Sequence, residues 1–174
     1  MKLSRYFNEH SSAYGYEIED LTYDSGGANV LASRLKVKRD QFAGLLPMSE
    51  FDPVMVASAF HKGFRFTDKD VMDRLVSAQP ENFPSWVAVA KALELEPWAA
   101  KLVTQALASA GGEQFMLTTA GLEYILSGPG AAAAAEEPAA ASKEDGEPAE
   151  DGDDDDLGDA GEDYLSDQGF DRRS

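Results

Sequence analysis

The sequence predicts a mainly helical domain with one short strand, followed by an acidic tail that has no fold of its own. Three observations carry that expectation. Between Asn29 and Leu126, apolar residues recur at helical spacing behind a series of capping residues and prolines. One frame of small and apolar residues occurs twice, 58 residues apart. Composition and charge change abruptly after Ser127.

The charge change sets the boundary. The 174-residue chain has a net charge of −17 and an apolar fraction of 43%, ordinary for a folded protein. Residues 128–174 carry 16 acids against 3 bases, a net of −13. Residues 1–127 carry 16 acids against 12 bases, a net of −4. The tail is built of Ala, Gly, Pro, Glu and Asp and has too little to bury to offset its ordering entropy, so it is expected to be disordered. Ser127-Gly128-Pro129-Gly130 stops the last helix. The expected domains are therefore 1–127, folded, and 128–174, tail. Near the tail's end, Tyr164, Leu165 and Phe170 stand among acids. They read as a docking motif, as part of a mimic of nucleic-acid phosphates, or as incidental aromatics in a solubilising segment. Asp151, Asp153, Asp155, Asp159 and Glu162 match a calcium-loop frame, but Asp156 takes the place of its turn glycine and no amphipathic helices flank it. It is set aside as a coincidence of an aspartate-rich run.

Within 1–127 the elements are expected as follows. Met1 to Phe7 suits a short helix. Tyr14 to Tyr23 fits a strand or a short helix, and Ser25-Gly26-Gly27 a turn. Asn29 caps a helical stretch that buries Val30, Leu31, Leu35, Phe42, Leu45 and Leu46, closed by Pro47. Asp52-Pro53 opens a helix over Val54 to Phe60, ended by His61-Lys62-Gly63. Thr67 caps a helix over Asp68 to Ala78, closed by Pro80. Pro84-Ser85-Trp86 starts a helix that buries Val87, Val89, Ala90 and Leu93. Glu96-Pro97-Trp98 starts another, with Leu102, Val103, Ala106 and Leu107 on one face and Gly111-Gly112 as its break. Gln114 to Thr118 reads as a strand and Ala120 to Leu126 as a closing helix.

The repeated frame is the informative motif. Ala32, Leu35, Val37, Phe42 and Leu45 are spaced as in a helix-turn-helix: the alanine lets two helices cross closely, the middle residue fills the turn, and the last two anchor the second helix. Ala90, Leu93, Leu95, Ala100 and Val103 repeat the frame. The folded part thus resembles two tandem helix-turn-helix units, one at 29–46 and one at 67–126. The second resembles a winged helix, with a wing strand at Phe115 to Thr118 and a Leu-Thr-x-x-Gly phrase from Leu117 to Gly121. Lys36 and Glu94 stand where such turns usually carry glycine. The resemblance is to the superfamily and implies a regulatory factor.

In the first unit Arg34, Lys36, Lys38, Arg39 and Gln41 form the densest basic patch of the chain and are the candidate nucleic-acid contacts. In the second unit Glu94 and Glu96 replace Lys36 and Lys38, which repels phosphates. Trp98 and Lys101 there, with Tyr164, Leu165 and Phe170 of the tail, are the candidate protein interface. The tail is also a candidate to occupy the basic patch until a partner displaces it.

Enzymatic readings find little. The chain has no cysteine, which excludes disulfides, cysteine-ligated metals and thiol catalysis. His10 and His61 have no ligand spacing between them, and neither Gly-Gly pair sits in a phosphate-binding fingerprint. His10-Ser11-Ser12 implies no orienting partner, and His61-Lys62 reads as a helix end. No cofactor or metal is expected. No secretory leader or membrane span is read, so a cytoplasmic location is expected. The leading expectation is a non-enzymatic regulatory factor that contacts nucleic acid weakly and a protein partner. An acidic adaptor without DNA binding and a nucleic-acid-mimicking inhibitor are the alternatives.

Overall fold

Ser4 begins the first helix: its Oγ accepts from the Phe7 N–H at 3.3 Å, and α1 runs Arg5–Thr22 in the computed structural model, which describes residues 1–128. The expectations for the tail, including Tyr164, Leu165 and Phe170, fall outside the described residues. One helix replaces the two segments expected at 1–7 and 14–23. Phe7 and Tyr14, two turns apart, are both buried on it, and packing of this stripe overrides the polar stretch between them. The turn after α1 is as expected. Asp24 accepts from the Gly26 and Ala28 N–H groups, and Gly27 takes φ 79°.

The first helix-turn-helix frame is not a helix-turn-helix. α2 runs Leu31–Asp40 straight through Lys36 and Val37, and Val37, which was to fill the turn, is 54% exposed. No glycine interrupts Arg34 to Asp40, and Lys36 reaches Asp40 one turn on, so the helix simply continues. α3, Phe42–Leu45, is too short to lie in a groove, and a 3₁₀ stretch over Leu46–Glu50 follows, with Pro47 inside it rather than closing the unit. Leu35 and Phe42 are buried; Val30, Leu31, Leu45 and Leu46 are only partly so. The Asn29 side chain accepts from Leu31 N–H, while Val30 takes the cap position.

α4, Pro53–Ala57, is capped by Asp52 and passes into a 3₁₀ turn over Ser58–Phe60. β1, Phe64–Phe66, was not foreseen. α5, Lys69–Ser77, is capped by Asp68 rather than Thr67. Thr67 instead donates its N–H to Ala92 O. α6 is Trp86–Ala90, with Ser85 as cap and Val87 exposed.

The second frame also departs from expectation. Its turn is a strand, β2, Leu93–Leu95, antiparallel to β1 with Arg65 opposite Glu94. The period here is two: Leu93 and Phe64 are buried, Leu95 and Phe66 partly buried, and the charged pair between them is exposed. α7, Pro97–Leu107, follows. The expected wing strand at 114–118 lies inside α8, Gly112–Leu126, which starts at Gly111 with φ 71°. Phe115 to Glu123 are all buried, so α8 is wrapped on every side, and α1, α4, α5, α6, α7 and β1 pack against it. A helix that is apolar all round belongs in a core, and this one is the axis of the fold. The helix-turn-helix and wing readings rested on two-residue and five-residue segments whose state tertiary packing decides. The mainly helical class stands, with its sheet moved to 64–66 and 93–95.

Candidate functional site

Arg39 and Trp98 build the site. Arg39 is on the last turn of α2, and Trp98 is the second residue of α7. Pro97 pre-sets the first turn of α7, so Trp98 leaves the helix start in a fixed direction. Gly63 makes room for it: a Cβ there would stand 2.8 Å from Phe60 O and 2.9 Å from Trp98 Cη2. The Arg39 guanidinium lies 3.6 Å from the centre of the indole ring. Its Nε donates to Ala59 O at 2.9 Å and one Nη2 hydrogen to His61 O at 3.0 Å. Stacking of this kind contributes about 0.5–2 kcal/mol. Arg39 pairs with no carboxylate among the described residues. Partial burial lowers its pKa, partly offset by Glu123.

This pair lines two clefts. One, about 430 Å³, also has Asp40, Ala43, Pro97, Lys101, Leu102 and Gln105 in its wall. Trp98 and Lys101, expected together as an interface, are therefore side by side. Asp40 in this wall is neutralised by Lys36 at 2.8 Å, while Lys101 has no carboxylate partner among the described residues. The second cleft, about 390 Å³, shares only Arg39 and Trp98 with the first and adds residues of α2 together with Asn29, His61, Lys62 and Glu96.

The remaining cations of the basic patch are committed within the fold. Arg34 Nη1 donates to Asp20 O at 2.6 Å and Tyr23 O at 3.1 Å, satisfying carbonyls at the end of α1. Lys38 Nζ is ringed by Glu17 Oε1 at 2.5 Å, Ser58 Oγ at 2.6 Å and Met55 O at 2.8 Å, so all three of its hydrogens are used. Lys36 is exposed and paired with Asp40. Gln41 is exposed at the end of α2. The five residues are close in sequence but do not form one exposed face.

Sequence reasoning missed a buried polar cluster behind the second cleft. Glu123 accepts from the Tyr14 hydroxyl, from His61 Nδ1 at 3.0 Å and from the Lys62 N–H at 2.9 Å. Its side chain is 2% exposed and that of His61 9%. Burial, then the charge of Glu123 and the hydrogen bond to it, push the Tyr14 phenol well up. The Lys62 bond holds that residue at φ 60°, a conformation side chains disfavour. The available signal was a single acid in the apolar run from Phe115 to Leu126. A charge is rarely placed there unless it has partners.

Among the described residues no group of three or more His, Asp or Glu side chains is arranged to hold a metal ion. Among them, too, no helix is long and apolar enough to cross a membrane. Comparison with protein-family models, with curated proteins and with solved structures finds no match to this chain.

Proposed function

We propose that the chain is a non-enzymatic protein-binding adaptor whose docking face is the cleft walled by Trp98, Lys101 and Arg39, and that it takes an acidic segment of a partner protein. One observation carries this reading. Arg39 is held over the Trp98 ring by bonds to two backbone carbonyls, and its charge is met by no carboxylate among the described residues. A rigid aromatic with an adjoining guanidinium is the composition of an interface anchor, because it gains contact area and a directed charge at little entropic cost. Lys101 adds a second cation to the same wall. The alternative of nucleic-acid contact through the basic patch has less support. Lys38 spends all three of its hydrogens on the protein, Arg34 is tied to two backbone carbonyls and Lys36 is paired with Asp40, so the patch does not present its cations together on one free face. A phosphate-binding face needs several such charges together.

The test is a peptide-display selection on the full chain, with recovered peptides titrated against wild type, Trp98→Ala and Lys101→Glu. Enrichment of acidic peptides that bind Lys101→Glu about tenfold more weakly supports the reading. Peptides that bind both variants as they bind wild type overturn it. So does salt-sensitive DNA binding, read by fluorescence anisotropy, that disappears in Lys36→Glu.

A further inference from the structure

We propose that the second cleft, bounded by Arg39, His61, Lys62 and Trp98, is a binding site for a compact oxyanion, a phosphate or a carboxylate group. The inference goes beyond the docking reading, since it concerns the cleft on which Lys101 does not border.

The donors are preorganised. A guanidinium has five N–H groups, and the bonds to Ala59 O and His61 O use one on Nε and one on Nη2. Those bonds and the Trp98 ring fix the fork while leaving its other hydrogens for a ligand. His61 is oriented as firmly. Glu123 can only accept once ionised, so the 3.0 Å contact places the ring proton on Nδ1. Nε2 makes no hydrogen bond among the described residues, yet no occluded side-chain nitrogen or oxygen among them lacks a partner. Nε2 is thus the edge of a largely buried ring that still reaches solvent, and His61 lines this cleft.

Lys62 completes the rim. Its N–H is pinned to Glu123, its backbone is held at positive φ, and its side chain is exposed on the cleft wall. The Asn29 carbonyl oxygen is taken by the Leu31 N–H, which leaves its amide hydrogens as further donors. Glu96 is the one acid in the lining, against two cations, Arg39 and Lys62. Glu123 faces His61 from α8, Tyr14 joins it from α1 and Arg39 approaches from α2. With its proton on Nδ1, His61 stands at the cleft edge as a neighbour of the anion, and the donors are Arg39, Lys62 and Asn29. At about 390 Å³ the cleft has room for an oxyanion together with part of the group that carries it.

The chain has only two histidines, so NMR of the full-length protein reads the site directly. Inorganic phosphate is titrated at constant neutral pH and ionic strength, with sodium acetate as a second probe. The expected result is a saturable shift of the His61 ring signals, with those of His10 unmoved. Lys62→Glu, an exposed change that leaves the Glu123 contacts intact, should weaken binding about tenfold, and Arg39→Gln should abolish it. A phosphoserine peptide that binds about tenfold tighter than inorganic phosphate identifies a carried group as the ligand; equal affinities identify the free ion. Overturning results are a His61 shift that never saturates, or one that is unchanged in Lys62→Glu. Peptide docking at Lys101 that survives either result leaves the adaptor reading standing, so the two failures are distinguishable.

Discussion

Glu123 and His61, 62 residues apart, meet at 3.0 Å between two buried side chains, and the same carboxylate reaches the Tyr14 hydroxyl and the Lys62 N–H. One side chain on the central helix thereby fixes α1 and the turn that carries the second cleft. A buried carboxylate is tolerable only with its lone pairs occupied, and here they are. The arrangement makes Glu123 the positioning residue for His61 and Lys62.

Replacing Glu123 should therefore be costly. Glu123→Ala leaves three donors facing a small cavity, and a loss of about 3–5 kcal/mol is expected. Urea unfolding followed by tryptophan fluorescence measures it. A loss below about 1 kcal/mol, within the range of surface changes, would show that the cluster is not a structural tie.

Alkaline pH should release the same cluster. Tyr14 is held well above its ordinary value near 10 by burial and by Glu123. Tyr124 is pushed up to about 12 by burial and by its bond to Asp73. In both cases the folded state favours the neutral phenol more than the unfolded state does. The stabilisation is fully present below about pH 10 and is lost as pH climbs through 10 toward the folded-state values. Tm measured along an alkaline series should fall over that window. Tyr14→Phe should fall less steeply, and equal slopes would contradict the assignment.

The basic patch should separate into unequal residues. Lys38→Met strands Glu17 beside two other acceptors in a half-buried site, for an expected cost of about 2–4 kcal/mol. Lys36→Ala breaks only an exposed pair one turn apart and should stay within about 0.5 kcal/mol. Chemical denaturation of the two variants decides the matter; equal costs would mean that both lysines are surface residues.

These contrasts show what sequence conveys and what it withholds. Caps and prolines act locally, so Asp52-Pro53, Ser85 and Pro97 marked true helix starts. The repeated apolar spacing was real, but it could not distinguish a turn at Lys36 from helix continuation, nor a turn at Glu94 from a strand. The deciding partners are remote: β2 exists because Phe64 to Phe66 lies alongside it. Of the site, Trp98 and Lys101 were legible as a pair on one helix. The Arg39 stack was not, because it joins residues 59 apart in sequence. His61 was read as a helix end, which it is, but its carboxylate partner lies on α8.

Gly121 tests the central helix from its other side. It belongs to the Leu-Thr-x-x-Gly phrase, and its role is steric. A Cβ at this position would stand 2.3 Å from Phe7 Cε1 and 2.4 Å from Cζ, with the ring itself fully buried. The phenyl ring is flanked by Tyr6 and Phe83, so it has little freedom to retreat. Gly121→Ala gains helix propensity of up to about 1 kcal/mol but meets an overpacking cost of about 1–3 kcal/mol, so net destabilisation is expected. Phe7→Leu in the Gly121→Ala background should recover part of the loss, although Phe7→Leu alone destabilises. A double-mutant cycle by urea unfolding measures this coupling. Additive effects would mean that α1 shifts away from α8 freely, and that the glycine is there for some reason other than the approach of Phe7.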